Sequence, residues 1–244
     1  MFKQIIKSIF PQSIIKKIVD IKNIYLGNYV LKSYSQEGED IILHRLFNKY
    51  PTGFYIDVGA HHPIRFSNTY LFYKKGWRGI NIDAMPGSMK PFNKLRPNDI
   101  NIEQPVSDKK EILTYYAFNE PALNGFSKEL SKQREGYEDF FITFTKEMIT
   151  STLEEILDTY LPVDQEISFL SIDVEGLDFS VLKSNDFNKY RPKVILIEIL
   201  ESNLSNIANN EISRYLENYS YTTFAKTINT VFFIDKQFYN EWYK

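Results

Sequence analysis

The sequence predicts an α/β fold, a mostly parallel sheet of seven principal strands that closes with an antiparallel hairpin. Three observations predict it. Phe54-Tyr55-Ile56 runs into Asp57-Val58-Gly59-Ala60, a buried strand and tight turn ahead of a helix from about Ser67. Gly79-Ile80-Asn81-Ile82-Asp83-Ala84 is a second short strand that again ends in an acid. At the far end, residues 221–225 and 230–234 are two adjacent strands joined by Lys226-Thr227-Ile228-Asn229, which breaks the alternation and implies the hairpin.

The chain has 244 residues, enough for one large α/β domain with additions. Its net charge of −2 argues against nucleic acid as the main partner. Cysteine is absent, which excludes disulfides, zinc-thiolate centres and thiol nucleophiles. Aromatic residues make up 16%, enough for a core and for a sugar-stacking surface besides. No apolar run reaches the roughly 18 residues of a membrane-spanning helix. Residues 1–10 intersperse lysines with Ile5, Ile6, Ile9 and Phe10 and lack a small-residue cleavage site, so the expected location is the cytoplasm.

Residues 1–32 form a preface to the main domain at 33–244. Ile5, Ile6, Ile9 and Phe10, then Ile14, Ile15, Ile18, Val19 and Ile21, recur at helical spacing on either side of Pro11, with Lys3, Lys7, Lys16, Lys17 and Lys22 on the other face. Two short basic amphipathic helices are expected. Their apolar faces can pack on the main domain or on a second subunit, giving a homo-oligomer, or rest on the anionic inner face of a membrane. Next, Ser35-Gln36-Glu37-Gly38-Glu39-Asp40 leads into an apolar helix. Ser35 followed by Glu39, or a close variant, would cap it, and Gln36 would lie across the mouth of a ligand site.

The turn after the first strand sets the ligand expectation. Gly59 and Ala60 let backbone approach a ligand, and Asp57 can accept from turn amides or from a ligand ammonium. Ser67 or Asn68 can cap the following helix, whose first amides would face a carboxylate. Asp83, with Ala84 beside it, stands where the second strand of a doubly wound sheet meets a ribose. The dinucleotide fingerprint G-x-G-x-x-G is absent, because His61 and His62 occupy positions that need glycine. That favours S-adenosylmethionine, which has no phosphate, over NAD.

Further along, Pro86-Gly87-Ser88 turns into a helix through Leu95, and residues 100–106 read as a third strand ending in Ser107-Asp108, a plain turn or an approach to the adenine. An insert at about 111–150 follows, with strands at 113–118 and 140–144 and a polar helix at 128–134. Its Tyr115, Tyr116, Asn119, Glu120, Asn124 and Phe126 combine aromatic faces with hydrogen-bonding tips, as an acceptor pocket for a sugar would need. A helix at 152–161 precedes the buried strand 168–172, which ends in Asp173-Val174-Glu175-Gly176. Glu198 ends the next strand. Asp173, Glu175 and Glu198, with His61 or His62, make an oxygen- and imidazole-rich set suited to a divalent cation such as Mg; the same acids can bind cofactor and substrate directly.

With these residues in place, the chain resembles the FkbM-type family of S-adenosylmethionine-dependent methyltransferases over roughly residues 33–199. The resemblance rests on Ser35-Gln36-Glu37-Gly38-Glu39-Asp40, Phe54-Tyr55-Ile56-Asp57-Val58-Gly59-Ala60, Ile80-Asn81-Ile82-Asp83, Val106-Ser107-Asp108 and Ile172-Asp173-Val174-Glu175-Gly176. It implies a Rossmann-like class I methyltransferase fold and methyl transfer to oxygen, often on a sugar. It places Asp57, Gly59, Ala60, Asp83, Ser107 and Asp108 around the cofactor, and Asp173 and Glu175 beside the transferred methyl. His61-His62-Pro63 departs from the family pattern of a glycine late in this turn. The expected acceptor is a sugar hydroxyl of a nucleotide sugar or surface-glycan precursor, with His62, His61 or Asp173 as base. Methylation of another small metabolite, at nitrogen or oxygen, and a non-catalytic scaffold at a membrane surface are the competing readings.

Overall fold

The structure is a computed structural model and describes residues 11–25 and 31–244. The chain divides into two compact units, residues 1–33 and 34–244. In the first, one helix, Gln12–Tyr25, is described; the expected helix before Pro11 lies outside the described residues.

The second unit is built on a seven-stranded sheet in the order β3-β2-β1-β6-β7-β9-β8. Its strands are β1 (Phe54–Val58), β2 (Arg78–Asp83), β3 (Ile100–Glu103), β6 (Phe169–Ile172), β7 (Val194–Glu198), β8 (Tyr221–Lys226) and β9 (Thr230–Asp235). All pairs from β3 to β7 are parallel, while β9 enters antiparallel between β7 and β8. A separate antiparallel pair, β4 (Ile112–Phe118) and β5 (Ile142–Ile149), forms the insert. The predicted sheet, with its final hairpin, is the one observed.

Alternation along the central strands loads both faces of the sheet. Ile56, Val58, Ile80, Ile82, Leu170, Ile172, Ile195 and Ile197 fill one side. Tyr55, Phe169, Val194, Leu196, Phe232 and Ile234 fill the other, with Trp77, Phe72 and Phe47. Strands covered on both faces carry apolar residues at nearly every position, as β7 does.

Several boundaries moved, each for a local reason. The third strand stops at Glu103 rather than Val106, because Pro105 has no amide to donate and Val106 makes only an isolated bridge to Ser151. The first crossover helix is a short Tyr70–Lys74. Its N-cap residue is Thr69, without a side-chain cap, rather than Ser67 or Asn68; Ser67 Oγ accepts from the Tyr70 amide at 3.1 Å from just outside the helix, and the Asn68 side chain donates to Ser171 Oγ at 3.0 Å. Ser35 bonds Asp40 rather than pairing with Glu39, whose carboxylate accepts from the Glu37 amide. A final helix, Lys236–Trp242, escaped the sequence reading although Asp235 caps it through the Phe238 amide.

Beneath the sheet lies a buried polar network. Arg96 and Asp99 pair at 2.8 Å with neither side chain exposed. Asp99 also accepts from Tyr55 Oη, the Gly79 amide and Asn81, and Arg96 donates to Tyr55 Oη and to Thr69 Oγ1. Thr69 in turn donates to Asp57 at 2.9 Å, so the network runs from the β2–β3 connection to the end of β1. No helix among the described residues is long and apolar enough to cross a membrane.

Removing one partner of such a pair strands the other charge in the interior. Arg96→Ala should therefore lower unfolding stability by about 3–5 kcal/mol, read as a denaturant midpoint at unchanged slope. A loss under about 1 kcal/mol would show that water reaches Asp99.

Candidate active site

The carboxyl ends of β1, β2 and β6 open into one shared cleft. The floor is set by backbone. Gly59, at φ 84°, and Ala60 donate their amides to the Ile82 carbonyl at 2.9 and 3.0 Å. A Cβ on Gly59 would stand 1.7 Å from the Asp173 carbonyl oxygen, so the two turns pass main chain against main chain. Gly59 is required twice over, by its φ and by this approach.

One wall is Asp83. Its Oδ2 accepts from the His61 amide at 2.9 Å and its Oδ1 from the Met85 amide at 2.8 Å. Burial raises its pKa and these amide bonds oppose the rise. Each oxygen keeps a further lone pair for a hydroxyl donor. Ile82, Val106 and Phe126 supply apolar wall, and Gln104 lines the cleft with its Nε2 tied to the Ile149 carbonyl and Ser151 Oγ.

The opposite end is acidic. Asp173, Glu175 and Glu198 each bring a carboxylate oxygen to within 4.8 Å of the others. Arg134, from the insert helix Lys128–Arg134, reaches in to pair with Glu175 at 2.6 Å and also donates to the Leu123 carbonyl. Asp173 is exposed to the open cleft on one side, while protein atoms crowd its carboxyl on the others. Burial, then Glu198 and Glu175, hold its carboxyl well above the usual range. Burial and the neighbouring Glu175 push Glu198 up to about 8. Burial likewise raises Glu175, against the pull of Arg134. Asp178, raised by burial to about 6, holds the turn by accepting from the Val174 and Gly176 amides.

The expected residues divide accordingly. Gln36, Gly59, His61, Asp83, Ala84, Tyr115, Asn124, Phe126, Asp173 and Glu175 line the cleft. Asp57 lies below the turn, bound to Thr69, and Asn68 is held by Ser171, so neither faces the cleft. Ala60 is buried behind the turn among Met89 and Phe92. Ser107 is buried with its amide on the Ser151 carbonyl, and Asp108 faces Lys183 across 3.8 Å. Val106 and Gln104 stand at the cleft where Ser107 and Asp108 were expected.

The histidines separate as well. His62 Nδ1 accepts from the Ile64 and Arg65 amides, which commits it to the turn. His61 faces the cleft with a buried, unpartnered Nε2, and burial followed by Arg65 lowers its pKa toward the neutral form. In the insert, Tyr116 belongs to β4, where its main chain pairs with Gly125. Asn119 braces the loop to Asp139 and Phe141, and Glu120 pairs with Arg65 at 3.1 Å. Asn124 accepts from the Phe118 amide. The sequence reading passed over Arg134, Gln104 and Met85. Only Gln104, at a strand end next to Pro105, left a local signal.

The acidic end has a titration signature. Glu198 has a folded-state pKa raised from about 4.5 to about 8, so its protonated form favours folding and that contribution is lost as pH rises through this window. Relative to wild type, Glu198→Gln should therefore gain stability between pH 4.5 and 8, by up to about 1.4 kcal/mol per pH unit. Thermal melts in chelator-treated buffer check this; a difference independent of pH would mean that Glu198 is not raised.

The comparisons with known proteins agree with this architecture. No curated protein matches the chain. A family model described as "Methyltransferase FkbM domain" matches residues 57–223, from the acid at the end of β1 into β8. The match takes in the Gly59 turn, Asp83, the insert and the Asp173-Glu175 turn, and on it the chain belongs to the FkbM methyltransferase family.

Proposed function

We propose that the protein transfers a methyl group from S-adenosylmethionine to a hydroxyl of a sugar-containing acceptor, such as a nucleotide sugar or surface-glycan precursor. Family membership implies S-adenosylmethionine as the donor. The residues present fit it. Asp83 keeps free lone pairs for the ribose hydroxyls, Ile82 and Val106 offer apolar surface to the base, and the Gly59 backbone leaves room alongside. The bound donor would supply an activated methyl on a sulfonium, already a good leaving group.

What the chain must add is alignment and a proton acceptor, since a sugar hydroxyl is a poor nucleophile while protonated. The observation that carries the reading is geometric: Asp173, lining the same cleft, brings a carboxylate oxygen within 4.8 Å of those of Glu175 and Glu198. A carboxylate made more basic by burial and like charge takes a hydroxyl proton more readily than an ordinary one. In this reading Asp173 accepts the acceptor's proton as oxygen takes the methyl group, and Glu175 and His61 orient the hydroxyl. Tyr115, Phe126 and Asn124 face the cleft from the insert and would contact the sugar ring.

A second form has Asp173, Glu175 and Glu198 holding a divalent cation such as Mg, which their spacing favours. A cation there would lower all three carboxyls and polarise the hydroxyl directly. The same negative charge would also attract an ammonium group, so amine acceptors belong in any screen.

Calorimetric titration with S-adenosylmethionine, with NAD as control, should show saturable binding of the first alone. Asp83→Asn should weaken that binding by about tenfold or more, the scale of a charge-assisted hydrogen bond. Asp173→Asn should bind the donor within a few-fold of wild type yet lose about 10²–10⁴ in transfer to the acceptor found by screening sugars with and without Mg. Full turnover by Asp173→Asn would remove it as the base, and binding of NAD alone would overturn the reading.

A further inference from the structure

We propose that the helix Gln12–Tyr25 is a docking surface for an anionic membrane, on which it lies flat. At about 3.6 residues per turn, Ile14, Ile18 and Ile21 fall in one stripe along the helix. They are 43%, 52% and 56% exposed, and Ile24, at one edge of the stripe, is 72% exposed. A stripe this apolar is not left in water without a purpose. Lys17 and Lys22 border it on opposite sides, while Lys16 and the one acid of the helix, Asp20, both lie on the far face. Residues 1–10, outside the described residues, add Lys3 and Lys7 to the same segment of sequence and no acid.

The charge arrangement selects the occupant. Two copies packed stripe to stripe would set lysines against lysines on both flanks, which repels, whereas a leucine-zipper-like seam needs opposite charges there. A lipid surface resolves the conflict. Isoleucines enter the boundary between headgroups and acyl chains, while lysines on either flank extend their stems along it and leave their ammonium groups among phosphates. The 14 described residues of the helix include Lys16, Lys17, Asp20 and Lys22, too many charges for a segment inside a bilayer, so it lies in the interfacial plane. The proposal stands apart from the acceptor chosen at the cleft.

The test is sedimentation of the full chain with phosphatidylcholine vesicles prepared with and without phosphatidylglycerol, at low and high salt. Binding is expected to the anionic vesicles only, weakening as salt rises. Ile18→Asp with Ile21→Asp should reduce it more than about tenfold, and each Lys→Glu at 17 or 22 by about fivefold or more. All of these variants should keep wild-type S-adenosylmethionine affinity, which shows that the rest of the chain is folded. The salt series on wild type decides the question even where a variant expresses poorly. Failure to sediment with anionic vesicles, equal binding to neutral ones, or a concentration-dependent dimer abolished by Ile18→Asp with Ile21→Asp would each overturn it.

Discussion

The cleft depends on one close approach, the Gly59 turn lying against the main chain of Asp173. β1 and β6 are parallel neighbours in register, Val58 beside Ile172, so their carboxyl ends finish at the same level. The Asp173 amide donates to the Val58 carbonyl at 3.0 Å, and the next residue of β1, Gly59, has no room for a side chain. This backbone contact joins the Asp83 end of the cleft to the acidic end. Asp83 is then fixed to the same turn through the His61 amide, with no side chain intervening. A bound donor and an acceptor hydroxyl would meet where three strands end together, in the crevice that open parallel sheets offer ligands.

Electrostatics give the two ends different work. Asp83 accepts two turn amides, which oppose the rise in pKa that burial imposes on it. Asp173, Glu175 and Glu198 face one another, and Arg134 is the cation that pairs among them. Like charges at this spacing cannot all ionise freely, so the group retains protons into the neutral range. The insert supplies Arg134 and also Tyr115, Asn124 and Phe126, so it both tempers the acids and walls one side of the cleft. Arg65 to Glu120 forms a second tie between the insert and the turn after β1, at the outer rim.

The buried network under the sheet supports this from behind. Arg96 and Asp99 hold Tyr55, Thr69 and, through Thr69, Asp57. Asp57 therefore steadies the turn from below rather than reaching the ligand. It is the acid at the β1 end that the sequence pattern makes most conspicuous, yet Asp83 is the one of the two that lines the cleft.

What the sequence determined by itself is whatever rests on local pattern. Runs such as Val194-Ile195-Leu196-Ile197 are buried on both faces wherever they sit, and two adjacent strands at the chain end admit a hairpin and little else. Acids at strand ends placed Asp83, Asp173 and Glu175 at the cleft, because the carboxyl ends of parallel strands face one crevice. The tertiary structure alone decided which polar side chains inside a turn look outward. Asp57 and Asp83 both end strands, but Thr69 and Arg96 draw one inward, while amides of the neighbouring turn hold the other at the surface of the cleft. His61 and His62 are adjacent in sequence and differ only because the turn uses the second as an acceptor. Arg134 carries no local mark at all, since its role arises from a partner 41 positions away. Contacts of that reach are set by packing, and packing has no period that a sequence can display.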